Sequence, residues 1–96
     1  MKIYIDKDLE DVFPGYLDNR HKELIELKTL IDNQDLGKLK VLAHRLAGNA
    51  GSYGLAFLSE VGSKMEADCL RNDLSRMNDY FFQIKTYLDE LSYEYR

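Results

Sequence analysis

Helical periodicity is the feature that most constrains how this chain folds. Between residues 74 and 95 apolar side chains recur at alternating steps of three and four: Leu74, Met77, Phe81, Ile84, Leu88, Leu91 and Tyr95. This spacing places them on one helical face and is typical of the seam of an antiparallel bundle. We therefore predict one long amphipathic helix over this segment.

Three further segments carry an apolar stripe at helical spacing. The stripes are Leu17, Leu24, Leu27, Leu30 and Ile31; Leu39, Leu42, Ala43, Leu46 and Ala50; and Leu58, Val61, Gly62, Met65 and Cys69. Asn33–Gln34 and Arg71–Asp73 are predicted turns between these helices, and Asp35 is a predicted N-cap. The helix that contains residues 39–50 is expected to end near Gly51–Gly54, where glycine permits a left-handed backbone.

The N-terminal region predicts a shorter element. Asp8 to Phe13 is interpreted as a short helix capped by Asp6, and Pro14 marks a break before the next helix. No segment alternates with a period of two over a strand's length, so no strand is predicted. The predicted fold is all-α: residues 1–96 form a single domain, an up-down-up-down antiparallel four-helix bundle with a short additional N-terminal helix across one end.

Composition limits the classes of function. The 96 residues carry 13 basic and 17 acidic side chains, a net charge of -4, and the basic ones are scattered, so nucleic acid is not an expected partner. The sequence contains no apolar run long enough for a membrane span or a signal peptide, so we expect no membrane association and a cytoplasmic location. The single cysteine, Cys69, excludes an intramolecular disulfide and a cysteine-rich metal cluster.

A histidine among small residues is the most informative functional feature. His44 points almost opposite to the apolar stripe of its helix. Its neighbours on the outer face are Lys40, Val41, Ala47 and Gly48, with Gly51 another turn along. Glycine inside a helix costs about 1 kcal/mol relative to alanine, which indicates that the open space has a use. We predict that a bulky partner reaches His44 over Val41, Ala47, Gly48 and Gly51.

The spacing of His44, Leu46, Gly48 and Gly54 resembles the signature of histidine-containing phosphotransfer (HPt) domains of two-component phosphorelays. Further positions share the resemblance, which extends over nearly the whole chain: Phe13–Pro14, Tyr16–Leu17, Arg20, Leu58, Ser59 and Met65–Glu66. The chain departs from the family at Ala47, where HPt domains commonly have a lysine. Gly54 is expected to form a turn.

The resemblance implies a function for His44. It implies that this histidine exchanges a phosphoryl group with the aspartate of a response-regulator receiver domain, and that a histidine kinase is a further partner. The receiver would bring a bound Mg²⁺ and a lysine, while this chain would bind no metal or other cofactor. The chain would then act as a phosphoryl carrier and not as an enzyme. We expect it to be a monomer.

Because Ala47 stands where the family commonly has a lysine, another residue would have to supply the cation that orients the phosphate. Lys40 lies one turn before His44 on the same face and is the first candidate on helical geometry. Arg45, next to the histidine, and Lys64, on the neighbouring helix, are the other candidates.

The sequence also allows us to compare this function with three alternatives. A degenerate bundle that is not phosphorylated and serves as a protein-binding adaptor is favoured by Ala47. The phosphoacceptor helix pair of a sensor kinase would need an ATP-binding domain, for which this chain has no room. A di-iron bundle would need Glu-x-x-His ligands, and neither His21 nor His44 has a glutamate three residues before it.

Overall fold

Four helices dominate the computed structural model, which describes residues 2–96. They are α1 (Phe13–Asp32), α2 (Leu36–Ser52), α3 (Ala56–Leu70) and α4 (Met77–Glu90). Short connections at 33–35, 53–55 and 71–76 join them, so successive helices run antiparallel. The bundle measures about 40 × 20 × 20 Å. The predicted up-down-up-down four-helix bundle is confirmed.

Each connection contains one residue with a left-handed backbone. Gln34 has φ 52°, Gly54 has φ 80° and Asn72 has φ 56°. The Oδ1 atom of Asp35 accepts the backbone N–H of Lys38 at 3.2 Å, which caps α2 as predicted. The predicted turns and the predicted end of α2 are therefore confirmed.

The predicted apolar stripes of α2 and α3 lie in the core, whereas the stripes predicted for the first and last helices are buried only in part. The five residues of the α2 stripe and the five of the α3 stripe are all buried. α2 and α3 approach each other closely at Gly62, because a Cβ atom there would lie only 2.6 Å from the backbone nitrogen of Ala47. In addition, the Ser59 hydroxyl donates to the Ala47 carbonyl oxygen at 2.6 Å. This contact fixes the two helices that carry the candidate site.

The predicted N-terminal helix is wrong. The structure has a single 3₁₀ turn, Lys7–Leu9, in place of a helix over residues 8–13, although Asp6 does cap it by accepting the Asp8 N–H at 2.9 Å. Phe13 already belongs to α1, and Pro14 occupies the first turn of that helix. Proline is well suited to a helix start because it has no N–H to leave unpaired. Too few residues remain between Asp6 and α1 for a separate α-helix.

The absence of strands and the extension of the last helix to Tyr95 are also wrong. α4 ends at Glu90, and β2 (Ser92–Tyr95) pairs in parallel with β1 (Lys2–Ile5). Tyr93 and Tyr95 favour an extended backbone, and Tyr93 packs edge-on against Phe13 with ring centroids 4.8 Å apart. Tyr95 falls at the helical spacing although it lies in a strand, which is why the predicted helix extended too far. The strands were missed because four residues are too few to show a period of two.

Within residues 2–96, no helix has the length and apolar character needed to cross a membrane.

Candidate functional site

His44 combines exposure with a fixed ring orientation. Its side chain, on α2, is 76% exposed, and its Nδ1 atom lies 2.7 Å from Oε2 of Glu66 on α3. A carboxylate only accepts hydrogen bonds, so a neutral imidazole in this contact carries its proton on Nδ1. The lone pair then resides on Nε2. The pairing therefore presents a nucleophilic nitrogen away from the carboxylate.

Glu66 belongs to the candidate site through this contact, and the sequence analysis did not single it out, although Met65–Glu66 formed part of the resemblance. The distances of His44 and Glu66 from the turn between their helices could have indicated that they lie close together. His44 lies about nine residues before the 53–55 turn and Glu66 about eleven residues after it, and residues at similar distances from the turn of a helical hairpin lie at similar levels. The level follows from the sequence, but the rotation of each helix that brings the side chains together does not.

An open depression of about 600 Å³ surrounds the histidine. It is lined by Gly37, Lys40, Val41, His44, Arg45 and Glu66. The structure thus brings two of the three candidate cations to the site. Lys64 is not part of this lining, and its Nζ atom lies 3.2 Å from Oε1 of Glu60 on its own helix.

Lys40 and Arg45 differ in how they are held. Within residues 2–96, no carboxylate oxygen lies within 4.0 Å of the Lys40 ammonium. The Arg45 side chain turns toward α1, where its Nη2 atom lies 3.9 Å from Oε2 of Glu23. Lys40 is therefore the freer of the two cations at the depression.

The small residues next to His44 have different environments. A Cβ atom added at Gly48 would meet nothing within 4 Å, so this position is open. At Gly51 the added atom would lie 3.4 Å from the Ser59 hydroxyl, and Ala47 is half-buried against α3. Ala47 thus packs against α3, Gly51 is exposed with Ser59 at contact distance, Gly48 leaves space and Val41 is exposed. Access of a partner over these four residues stays a prediction.

A second charged group lies on the α1 side of the depression. The Glu23 side chain is only 12% exposed, and its Oε1 atom lies 3.6 Å from Nε of Arg20. Burial raises the pKa of the Glu23 carboxyl above its ordinary value, and the positive charges of Arg20 and Arg45 offset only part of this effect. The Arg20 guanidinium lies over the ring of Tyr16, 4.6 Å from its centroid.

Within residues 2–96, no three histidine, cysteine, aspartate or glutamate side chains come together in a way that could hold a metal ion.

The fold and the site define a four-helix bundle that presents one exposed, hydrogen-bonded histidine. The family model described as Hpt domain matches residues 14–94, and the chain belongs to this family. Hpt domains are phosphotransfer carriers in two-component phosphorelays, where they interact with histidine kinases and response regulators. No significant match was found among curated proteins or among solved structures.

Proposed function

We propose that this chain carries a phosphoryl group on Nε2 of His44, exchanging it with the aspartate of a response-regulator receiver domain. The observation that carries the proposal is the contact of 2.7 Å between Nδ1 and Glu66 on a side chain that is otherwise open to solvent. Family membership supports the class of reaction, and this contact supports the choice of residue and atom.

The proposed step needs little from this chain beyond the nucleophile. The Nε2 lone pair attacks the phosphorus of the aspartyl phosphate, an N–P bond forms, and the bond between phosphorus and the carboxylate oxygen breaks. The aspartate leaves as a carboxylate. The Nδ1 proton stays in place, so the ring acquires a positive charge as the N–P bond forms. Such transfers depend mainly on in-line positioning and on neutralising the phosphoryl oxygens.

Glu66 would support this step in two ways. By accepting from Nδ1, it keeps the lone pair on Nε2 before the reaction. As the ring becomes positive, the hydrogen bond becomes a charge-assisted one, which is shorter and stronger than a neutral bond. Both effects stabilise the phosphorylated ring in the orientation that a partner can reach, so Glu66 serves as a positioning residue.

The remaining functions divide between the two partners. A receiver domain would supply the aspartate, a bound Mg²⁺ and a lysine. This chain would supply a docking surface around Val41 and Gly48, and Lys40 as a cation for the phosphoryl oxygens. Placing a glutamine at the open Gly48 position should obstruct docking while the bundle stays folded, because no neighbouring atom lies within 4 Å of the added Cβ.

Transfer from labelled receivers tests the proposal. We would incubate the purified chain with ³²P-phosphorylated receiver domains encoded in the same genome. At least one should transfer label that is lost in acid and retained in base. The variant H44Q should take no label, while H21Q is the matched control, because His21 is also exposed and lies on α1. Label retained by H44Q would refute the assignment. A folded protein that accepts no label from any receiver would support the adaptor alternative.

A further inference from the structure

A charged triad links α1 to the residue next to the candidate nucleophile. It consists of Arg20, Glu23 and Arg45, and the carboxylate lies between the two guanidinium groups at 3.6 Å and 3.9 Å. Both distances exceed the range of an N–H···O hydrogen bond. The attraction that holds Arg45 to Glu23 is therefore Coulombic only, and no hydrogen bond is broken when Arg45 moves away.

Arg20 is much less free to move than Arg45. Its side chain is 12% exposed and stacks over Tyr16, while the Arg45 side chain is 55% exposed. The Nε and Nη1 atoms of Arg20 are buried and find no hydrogen-bond acceptor among the described residues. If Arg45 leaves, Glu23 keeps a buried cation beside it. Removing Arg45 thus does not leave the half-buried carboxylate without a partner, which would otherwise be costly.

Arg45 also borders the depression around His44. A phosphoryl group on the histidine would place two negative charges there, against the single charge of Glu23. We propose that Glu23 is a positioning residue that holds Arg45 on the α1 side while the histidine is unphosphorylated, and that Arg45 moves to the phosphoryl oxygens once the phosphohistidine forms. Arg45 then supplies part of the positive charge that the family's lysine would supply at the position of Ala47. Glu23, by attracting Arg45, limits how strongly the phosphohistidine is stabilised.

This inference rests on the proposed phosphorylation of His44, and its test needs no partner protein. Phosphoramidate is the probe: Nε2 forms a bond to phosphorus, the P–N bond of phosphoramidate breaks, and ammonia leaves. The phosphorylated fraction is measured at a fixed ratio of phosphoramidate to ammonia. In E23Q the equilibrium should shift toward phosphohistidine by about two- to five-fold, the size expected for one partly exposed ion pair. In R45Q it should shift the other way by a similar factor.

Two controls separate positioning from a structural or net-charge effect. E26Q removes the same charge from an exposed position on α1 and should leave the equilibrium unchanged. In the double variant E23Q/R45Q, the gain of E23Q should disappear. The NMR signal of the Arg45 Nε–H should shift on phosphorylation of the wild-type chain, which a purely structural role of Glu23 would not cause.

The outcomes also separate this inference from the proposal on which it depends. If phosphoramidate does not modify His44, the proposed function fails. If His44 is modified but E23Q matches E26Q, or if the Arg45 signal does not move, only the role of Glu23 and Arg45 is overturned.

Discussion

Replacing Gly62 by alanine should separate the two helices that form the site. The added Cβ atom would lie 2.6 Å from the backbone nitrogen of Ala47 and 3.0 Å from the carbonyl oxygen of Ala43. Ordinary contact begins at 3.4 Å, so α2 and α3 must part by about 0.8 Å. The atoms met are backbone atoms, which cannot rotate out of the way as a side chain can.

The cost follows from two opposing effects. Overpacking against backbone atoms that cannot rotate away belongs to the upper part of the usual range, at about 2–3 kcal/mol. Alanine recovers up to about 1 kcal/mol through its better helix propensity. We expect a net loss of about 1–2 kcal/mol, which lowers the melting temperature of a domain of this size by roughly 5–15 °C. The separation would also lengthen the contact between His44 and Glu66 from 2.7 Å to about 3.5 Å, so phosphoryl transfer should slow.

Urea denaturation and transfer kinetics of the same samples check this prediction. G48A is the matched control, because the added atom there meets nothing within 4 Å. That variant should gain up to about 1 kcal/mol and fold normally. The reasoning would be refuted if G62A were as stable as the wild type with unchanged transfer, since the two helices would then accommodate the methyl group without separating.

Three further outcomes are expected. D68A should lower the free energy of unfolding by about 2–3 kcal/mol, measured by urea denaturation. The reason is that Asp68 is buried and accepts hydrogen bonds from the Tyr80 hydroxyl, at 2.7 Å, and from two arginines. An unchanged urea midpoint would contradict this. K40A should shorten the phosphohistidine lifetime at unchanged melting temperature, and an unchanged lifetime would mean that Lys40 is only solvated. Burial raises the pKa of Tyr16, Tyr80 and Tyr87, so as the pH rises these phenols lose their protons more readily in the unfolded chain than in the folded one. The contribution of these tyrosines to the free energy of unfolding should therefore be fully present below about pH 10 and fall above it. Phenolate absorbance should rise together with unfolding.

The sequence predicted the helices well because their stripes are long. Five stripe positions on α2 and five on α3 each define a face, and all ten are buried. The turns could also be predicted, because glycine and asparagine tolerate the left-handed backbone found at Gly54 and Asn72. By contrast, β1 and β2 have four residues each, and their pairing brings together the two ends of the chain, which no local pattern encodes.

The site was predicted in part for a similar reason. His44, Lys40, Arg45 and Val41 belong to one helix, so their common neighbourhood follows from a spacing of three or four residues or from direct adjacency. Glu66 comes from another helix, and its contact depends on how α2 and α3 are rotated against each other. The placement of Lys64 depends on the same rotation, and its ammonium pairs with its own helix instead.

The central claim is that His44 accepts the phosphoryl group at Nε2 while Nδ1 keeps its proton against Glu66. We would phosphorylate the ¹⁵N-labelled chain with phosphoramidate and identify the attached nitrogen from its coupling to phosphorus. We expect a single phosphohistidine at residue 44, bonded through Nε2, and a larger share of Nδ1 attachment or a lower yield in E66A. Attachment through Nδ1 in the wild-type chain, or phosphorylation of His21 in place of His44, would contradict it.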